Sequence, residues 1–106
     1  MNRGELWTVS GGVYATKPRP ALIIQDNLFS ATDSVVVIPL TTTITDAPIA
    51  RIAIPTTTGI AQPSFAMIDK ITTVRRSNLG ARVGRVSATL MADIERSLLV
   101  FLGLAS

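Results

Sequence analysis

The chain of 106 residues is 47% hydrophobic and 16% charged, apolar enough to fold and short enough that residues 1–106 are expected to form one domain. It has no cysteine and no histidine, which excludes disulfides, thiol nucleophiles, the usual zinc ligand sets and every imidazole-based triad or general base, so neither a metal nor a cofactor is expected. Ten Lys and Arg against seven Asp and Glu give a net charge of +3, which favours an anionic partner.

The first residues, MNRGELWTVSGG, lack the apolar stretch of about 7 to 15 residues that marks a signal peptide, and the longest apolar run, Ser34 to Leu40, has the length of a strand. No membrane span is expected, and a cytoplasmic location follows as the default. Six short β-rich runs come next in chain order: Glu5 to Val9, Ala21 to Gln25, Val35 to Leu40, Arg51 to Ile54, Phe65 to Thr73 and Ala81 to Val86. Turn residues separate them: Gly11-Gly12, Pro18 and Pro20, Asp26-Asn27, Asp46 to Pro48, and Thr58-Gly59. Val35 to Ile38 is continuously apolar rather than alternating, the pattern of a central strand covered on both faces. Trp7 and the phenylalanines are assigned to the core.

After Ser87 the period changes. Leu90, Met91, Ile94, Leu98, Phe101 and Leu102 recur at three- and four-residue spacings, which predicts an amphipathic helix from Ala88 to Leu102 with Ser87 as N-cap and Gly103 just past its end. The class is therefore mainly β with a C-terminal α-helix, in the strand spacing of a small barrel or sandwich.

Three features carry candidate chemistry. Arg75, Arg76, Arg82 and Arg85 fall within eleven residues, and no carboxylate lies between Asp69 and Asp93; this reads either as a solvated surface or as a phosphate-binding region suited to the planar guanidinium. Lys17-Pro18-Arg19-Pro20 precedes Ala21 to Ile24 and reads either as a charged turn or as a cation held in advance on a stiffened backbone. Pro39-Leu40-Thr41-Thr42-Thr43 leaves the central strand, its hydroxyls available either to a phosphate or to local backbone turns.

Arg3 to Trp7, Arg19 to Asn27, Val37 to Thr42, and Ser64 to Thr73 followed by Leu79 resemble, in the same order, the MazF/PemK family of toxin endoribonucleases, a likeness that runs from Arg3 to about Leu104. The resemblance implies an SH3-like barrel of the MazF/PemK/CcdB type, a homodimer, and metal-independent, sequence-specific cutting of single-stranded RNA that leaves a 2′,3′-cyclic phosphate and a 5′-hydroxyl. It also implies an antitoxin partner whose disordered segment covers the RNA groove.

Residue by residue, the resemblance assigns Arg19 to the catalytic arginine and Thr41 to the strand-exit threonine. The forked guanidinium stabilises the phosphorane and the hydroxyl orients the phosphate. Asp69, from an Asp-Gln pair that reads Asp69-Lys70 here, is a candidate proton acceptor or base-reading acceptor, with a structural role as its other reading. The family's acidic loop residue has no counterpart between Gly12 and Pro18, so the general base is unassigned; Lys17 and Arg19 serve only if their basicity is lowered. Tyr14 is the most available base-stacking aromatic, and Lys17, Gln25, Asn27, Lys70, Arg75 and Arg76 are the remaining RNA-binding candidates. Two other functions fit the same barrel. One is a CcdB-like gyrase inhibitor, against which counts an end of Gly103-Leu104-Ala105-Ser106 with no tryptophan; the other is a catalytically degenerate binding module.

Overall fold

Short β-branched runs punctuated by Gly, Pro and Asp become seven strands and one helix in a computed structural model. It describes residues 1–11 and 15–106, with side chains for all of these but Ala15 and Thr16. The strands are β1 (Glu5–Gly11), β2 (Ala15–Ile23), β3 (Ser34–Thr41), β4 (Arg51–Ile54), β5 (Ser64–Met67), β6 (Thr72–Arg75) and β7 (Leu79–Arg85), followed by α1 (Ala88–Phe101). All pairings are antiparallel, in the order β4-β5-β3-β2-β1-β7, with β6 also beside β3.

β3 has three neighbours and is central, as its unbroken apolar run required. Ile38 and Leu40 join a core with Leu6, Leu22, Ile54, Ile68, Met91 and Ile94, while Val35 and Val37 join a smaller one with Val9, Ala21, Ile23 and Val74. Side chains alternate along a strand, so even positions of β2 and β3 face the helix and odd positions face away from it.

The helix begins where Ser87 Oγ accepts the Leu90 N–H at 3.1 Å. It ends in a Schellman motif: the Leu104 N–H reaches the Leu99 carbonyl at 2.8 Å, the Gly103 N–H reaches that of Val100 at 3.1 Å, and Gly103 takes φ 75°. Arg3 ties this helix to the sheet, donating from Nε to the Ile24 carbonyl at 3.0 Å and pairing with Glu95 at 2.5 Å. No helix among the described residues is long and apolar enough to cross a membrane.

Among the described residues β4 and β7 do not pair, so the sheet is barrel-like rather than a closed barrel. Its two ends meet through backbone packing. A Cβ at Gly84 in β7 would overlap the carbonyl oxygen of Thr58, and one at Gly59 would overlap that of Val83. Glycine at both positions lets the turn after β4 lie directly on β7.

Three expectations need correction. The prolines do not end a loop, because β2 begins at Ala15 and ends at Ile23 rather than running from Ala21 to Gln25. Pro18 and Pro20 share parity, so both missing N–H groups fall on one side of the strand, and among the described residues β2 pairs before Ala21 with β1 alone. The run from Phe65 to Thr73 is two strands separated by a 3-10 turn, Ile68–Lys70, which buries Ile68 completely. That break lets β5 pair with β4 and the end of β3 while β6 pairs with its beginning. Finally, Phe65 is half-buried, but Phe29, on a surface 3-10 turn, and Phe101, at the end of the helix, are exposed.

Candidate active site

The odd positions of β2 place Lys17 and Arg19 on the face away from the helix, the same face as Ala21 and Ile23. The β2–β3 ladder runs Ile23↔Val37, Leu22↔Ile38, Ala21↔Pro39 and stops there: Arg19 pairs with Val9 of β1, and Thr41 with Phe65 of β5. On the other side of β3, Val37 pairs with Thr72 and Val35 with Val74. Residues from three strands thus converge at one end of this face.

A cleft of about 350 Å³ opens there, lined by Arg19, Pro39, Leu40, Met67, Lys70, Thr72, Thr73 and Val74. Two cations and two hydroxyls surround an apolar floor, a combination suited to an anion carrying a flat or apolar group. Arg19 and Lys70 are exposed, and neither has a hydrogen-bond or ion-pair partner among the described residues. Thr41, the last residue of β3, is not among the lining residues but follows Leu40, which is; it is half-buried, and its Oγ1 accepts the Thr43 N–H at 3.2 Å. A hydroxyl that accepts on one lone pair keeps its own proton to donate.

Other candidates lie elsewhere or are already engaged. Asp69 does not line the cleft; it forms an ion pair with Arg51. Gln25 holds the β2–β3 connection together, accepting the Val36 N–H at 3.0 Å and donating to the Phe29 carbonyl and to Thr32 Oγ1, each at 2.9 Å. Asn27 Oδ1 accepts the Arg3 N–H at 2.8 Å. Tyr14 and Gly12 lie outside the described residues.

The arginine-rich stretch disperses. Arg76 folds back on the Thr32 and Phe29 carbonyls, the latter at 3.2 Å. Arg82 pairs with Glu5 at 2.9 Å. Arg75 stays exposed beside Ser77 and Asp33, and Arg85 is exposed on the far side, near Thr57 and Thr58. Glu5 is itself 7% exposed. Burial pushes its pKa up, but the Asn2 N–H at 2.6 Å, Trp7 Nε1–H at 3.2 Å, Arg82 and the N-terminal charge outweigh that, and the net shift is downward.

Sequence reading missed Thr72 and Thr73 as cleft residues. Their signal was present as a hydroxyl pair two residues after Lys70, but it was absorbed into a single long strand. Arg51, eighteen residues from its partner Asp69, gave no local signal at all.

A family model described as PemK-like, MazF-like toxin of type II toxin-antitoxin system matches residues 2–102. The chain is 55% identical over 108 residues, spanning 99% of both proteins, to a probable endoribonuclease MazF of Mycolicibacterium smegmatis. It is 30% identical over 117 residues to endoribonuclease MazF9 of Mycobacterium tuberculosis, covering 100% of this chain and 99% of that one. In three dimensions it is similar, with a TM-score of 0.86 and 27% identity, to a mycobacterial endoribonuclease solved in complex with its cognate antitoxin, covering 100% of this chain and 98% of that one.

Proposed function

This chain belongs to the PemK-like, MazF-like toxins of type II toxin–antitoxin systems and is an endoribonuclease, and from that premise we propose that it cuts single-stranded RNA at specific sequences by a metal-independent route through the Arg19–Lys70 cleft. The ribose 2′-oxygen, losing its proton, attacks the adjacent phosphorus. The bond from phosphorus to the 5′-oxygen breaks, and that oxygen takes up a proton. A 2′,3′-cyclic phosphate and a 5′-hydroxyl result. The nucleophile belongs to the substrate, so the protein has to orient the phosphate and stabilise the charge that accumulates on it.

The observation that carries this reading is the presence in one cleft of two exposed cations without a partner among the described residues, Arg19 and Lys70, and the hydroxyls of Thr72 and Thr73. The Arg19 fork takes two non-bridging oxygens of the phosphorane. Thr41 donates its free hydroxyl proton to the same phosphate. Lys70 grips a neighbouring phosphate, and Lys17, on the same face, extends the path of the strand. Gln25 and Asn27 shape the loop rather than touch RNA, because both ends of the Gln25 amide and the Asn27 Oδ1 are already engaged. Asp69 holds the turn that carries Lys70 and does not act as the base.

The protein works as a cytoplasmic homodimer under an antitoxin. A mycobacterial endoribonuclease of the same fold, solved with its cognate antitoxin, supports that partner.

The test is incubation of the wild-type protein with a long mixed-sequence RNA in EDTA, with ends mapped by phosphate-sensitive ligation. Cuts at a recurring short motif bearing cyclic phosphate and 5′-hydroxyl ends are expected. Cleavage that needs added magnesium, or that leaves 5′-phosphates, overturns the mechanism.

A further inference from the structure

A half-exposed lysine next to an aspartate in sequence is ordinarily a poor anion site, because the carboxylate one residue away offsets its charge. Asp69 and Lys70 stand in that relation on the turn Ile68–Lys70, yet only Lys70 lines the cleft. What separates them is Arg51.

Arg51 opens β4 opposite Met67, the residue that ends β5. One terminal nitrogen of its guanidinium donates to Asp69 Oδ1 and, at 3.0 Å, to the Ala50 carbonyl. The same carbonyl accepts the Ile68 N–H at 2.9 Å, and the Ile71 N–H closes the turn on the Ile68 carbonyl at 3.3 Å. Below them Ile68 is fully buried, so the turn is fixed from the core side by packing and from the outer side by the ion pair. The Arg51 side chain is only 13% exposed and that of Asp69 32%, which sets this pair apart from a solvent-screened surface bridge. Arg51 Nε is buried with no partner among the described residues. A guanidinium this buried and incompletely satisfied carries a desolvation cost that a neutral side chain would avoid.

We propose that Arg51 is a positioning residue for RNA binding: by taking the Asp69 carboxylate and the Ala50 carbonyl, it fixes the Ile68–Lys70 turn and leaves the Lys70 ammonium uncompensated toward the cleft. The inference rests on the cleft being the RNA site. It assigns Arg51 no contact with substrate. Its effect passes through Lys70 and falls on binding rather than on the chemical step that Arg19 serves.

The experiment uses the full chain and separates binding from cutting. Binding is read by fluorescence anisotropy of a single-stranded DNA oligonucleotide, which lacks the 2′-hydroxyl and stays intact, across a salt series; cutting is read on RNA. Arg51→Met frees the Asp69 carboxylate beside Lys70. It is expected to raise Kd and the RNA KM by about tenfold, to lower kcat by less than about twofold, and to reduce the salt slope by about 0.7, the loss of one single-strand phosphate contact. Arg51→Met/Asp69→Asn removes both charges and is expected to recover the slope and most of the affinity, a result that a merely structural ion pair does not give. Arg51→Lys, which keeps the charge, falls between.

Wild-type Kd and slope in Arg51→Met overturn the proposal, as does a double variant as weak as the single one. Should Arg51→Met fail to fold, Asp69→Asn alone keeps the proposal testable: binding at least as tight as wild type supports it, and loss of binding with the fold intact overturns it. Oligonucleotide binding without RNA cutting by the wild type would instead refute the ribonuclease mechanism, while the binding series still decides the role of Arg51.

Discussion

Six of the ten cations of this protein fall into two sets that the sequence does not distinguish. Arg3, Arg51, Arg76 and Arg82 are turned inward, onto Glu95 and the Ile24 carbonyl, onto Asp69, onto the Thr32 and Phe29 carbonyls, and onto Glu5. Arg19 and Lys70 face a cleft with no partner among the described residues. The richest run of arginine, from Arg75 to Arg85, supplies two of the inward set, whereas the cleft is built from two cations fifty-one positions apart. Local charge density therefore points to the wrong place. Lys17, Arg75, Arg85 and Arg96 are also exposed and without an acceptor among the described residues, so the informative property is which free guanidinium or ammonium the fold also aims into a cleft.

That division can be broken experimentally by removing one member of each set. The largest effect is expected from Arg19→Ala: a fall in RNA cleavage rate of about 10² to 10³, the usual consequence of losing one preorganised donor to a transition-state oxyanion. Its thermal midpoint should match that of wild type, since no internal contact is lost. Cleavage undiminished in this variant would place the chemistry elsewhere.

Arg82→Met is expected to do the reverse. It leaves Glu5 with two donors and only the N-terminal charge and should destabilise the fold by about 1 to 2 kcal/mol, a figure reduced because Arg82 is itself half-exposed. Urea unfolding measures it, while cleavage per folded molecule stays at the wild-type level. The same carboxylate gives a pH signature. The Glu5 pKa is lower in the folded chain than its ordinary value of 4.5, so its stabilisation is complete above the unfolded pKa and is lost as pH falls through the folded one. Melting temperature followed across that acid range should decline more steeply for wild type than for Glu5→Gln. The smallest effect is expected from Arg76→Met, about 1 kcal/mol from the freed loop carbonyls, visible as faster hydrogen exchange in residues 29–34.

How much of this was legible depends on whether the signal is local. The helix was readable to within a residue, because its N-cap Ser87, its apolar spacing and Gly103 lie within one short stretch. The central strand was readable from four consecutive apolar side chains. The extent of β2 was not, because prolines announce a loop unless it is known that one side of the strand lacks a partner before Ala21, which is a property of the whole sheet. Ile68 looked like one more strand residue; only the packing of β5 against β4 shows why the chain turns there. Arg19 and Thr41 were nameable as candidates from motif, yet the cleft that Arg19 shares with Lys70 and Thr72 follows only from β2 and β6 lying on either side of β3. Lys70 became separable from Asp69 only once Arg51 was seen between them.

One feature of the sheet bears on how the molecule comes into being. β1 is translated well before its outer neighbour β7, and Arg3 well before its partner Glu95 on α1. A nascent chain halted before residue 79 leaves that edge of β1 bare, however well its middle has collapsed. A product truncated before β7 by premature termination should therefore be an aggregation-prone fragment rather than a partly armed enzyme.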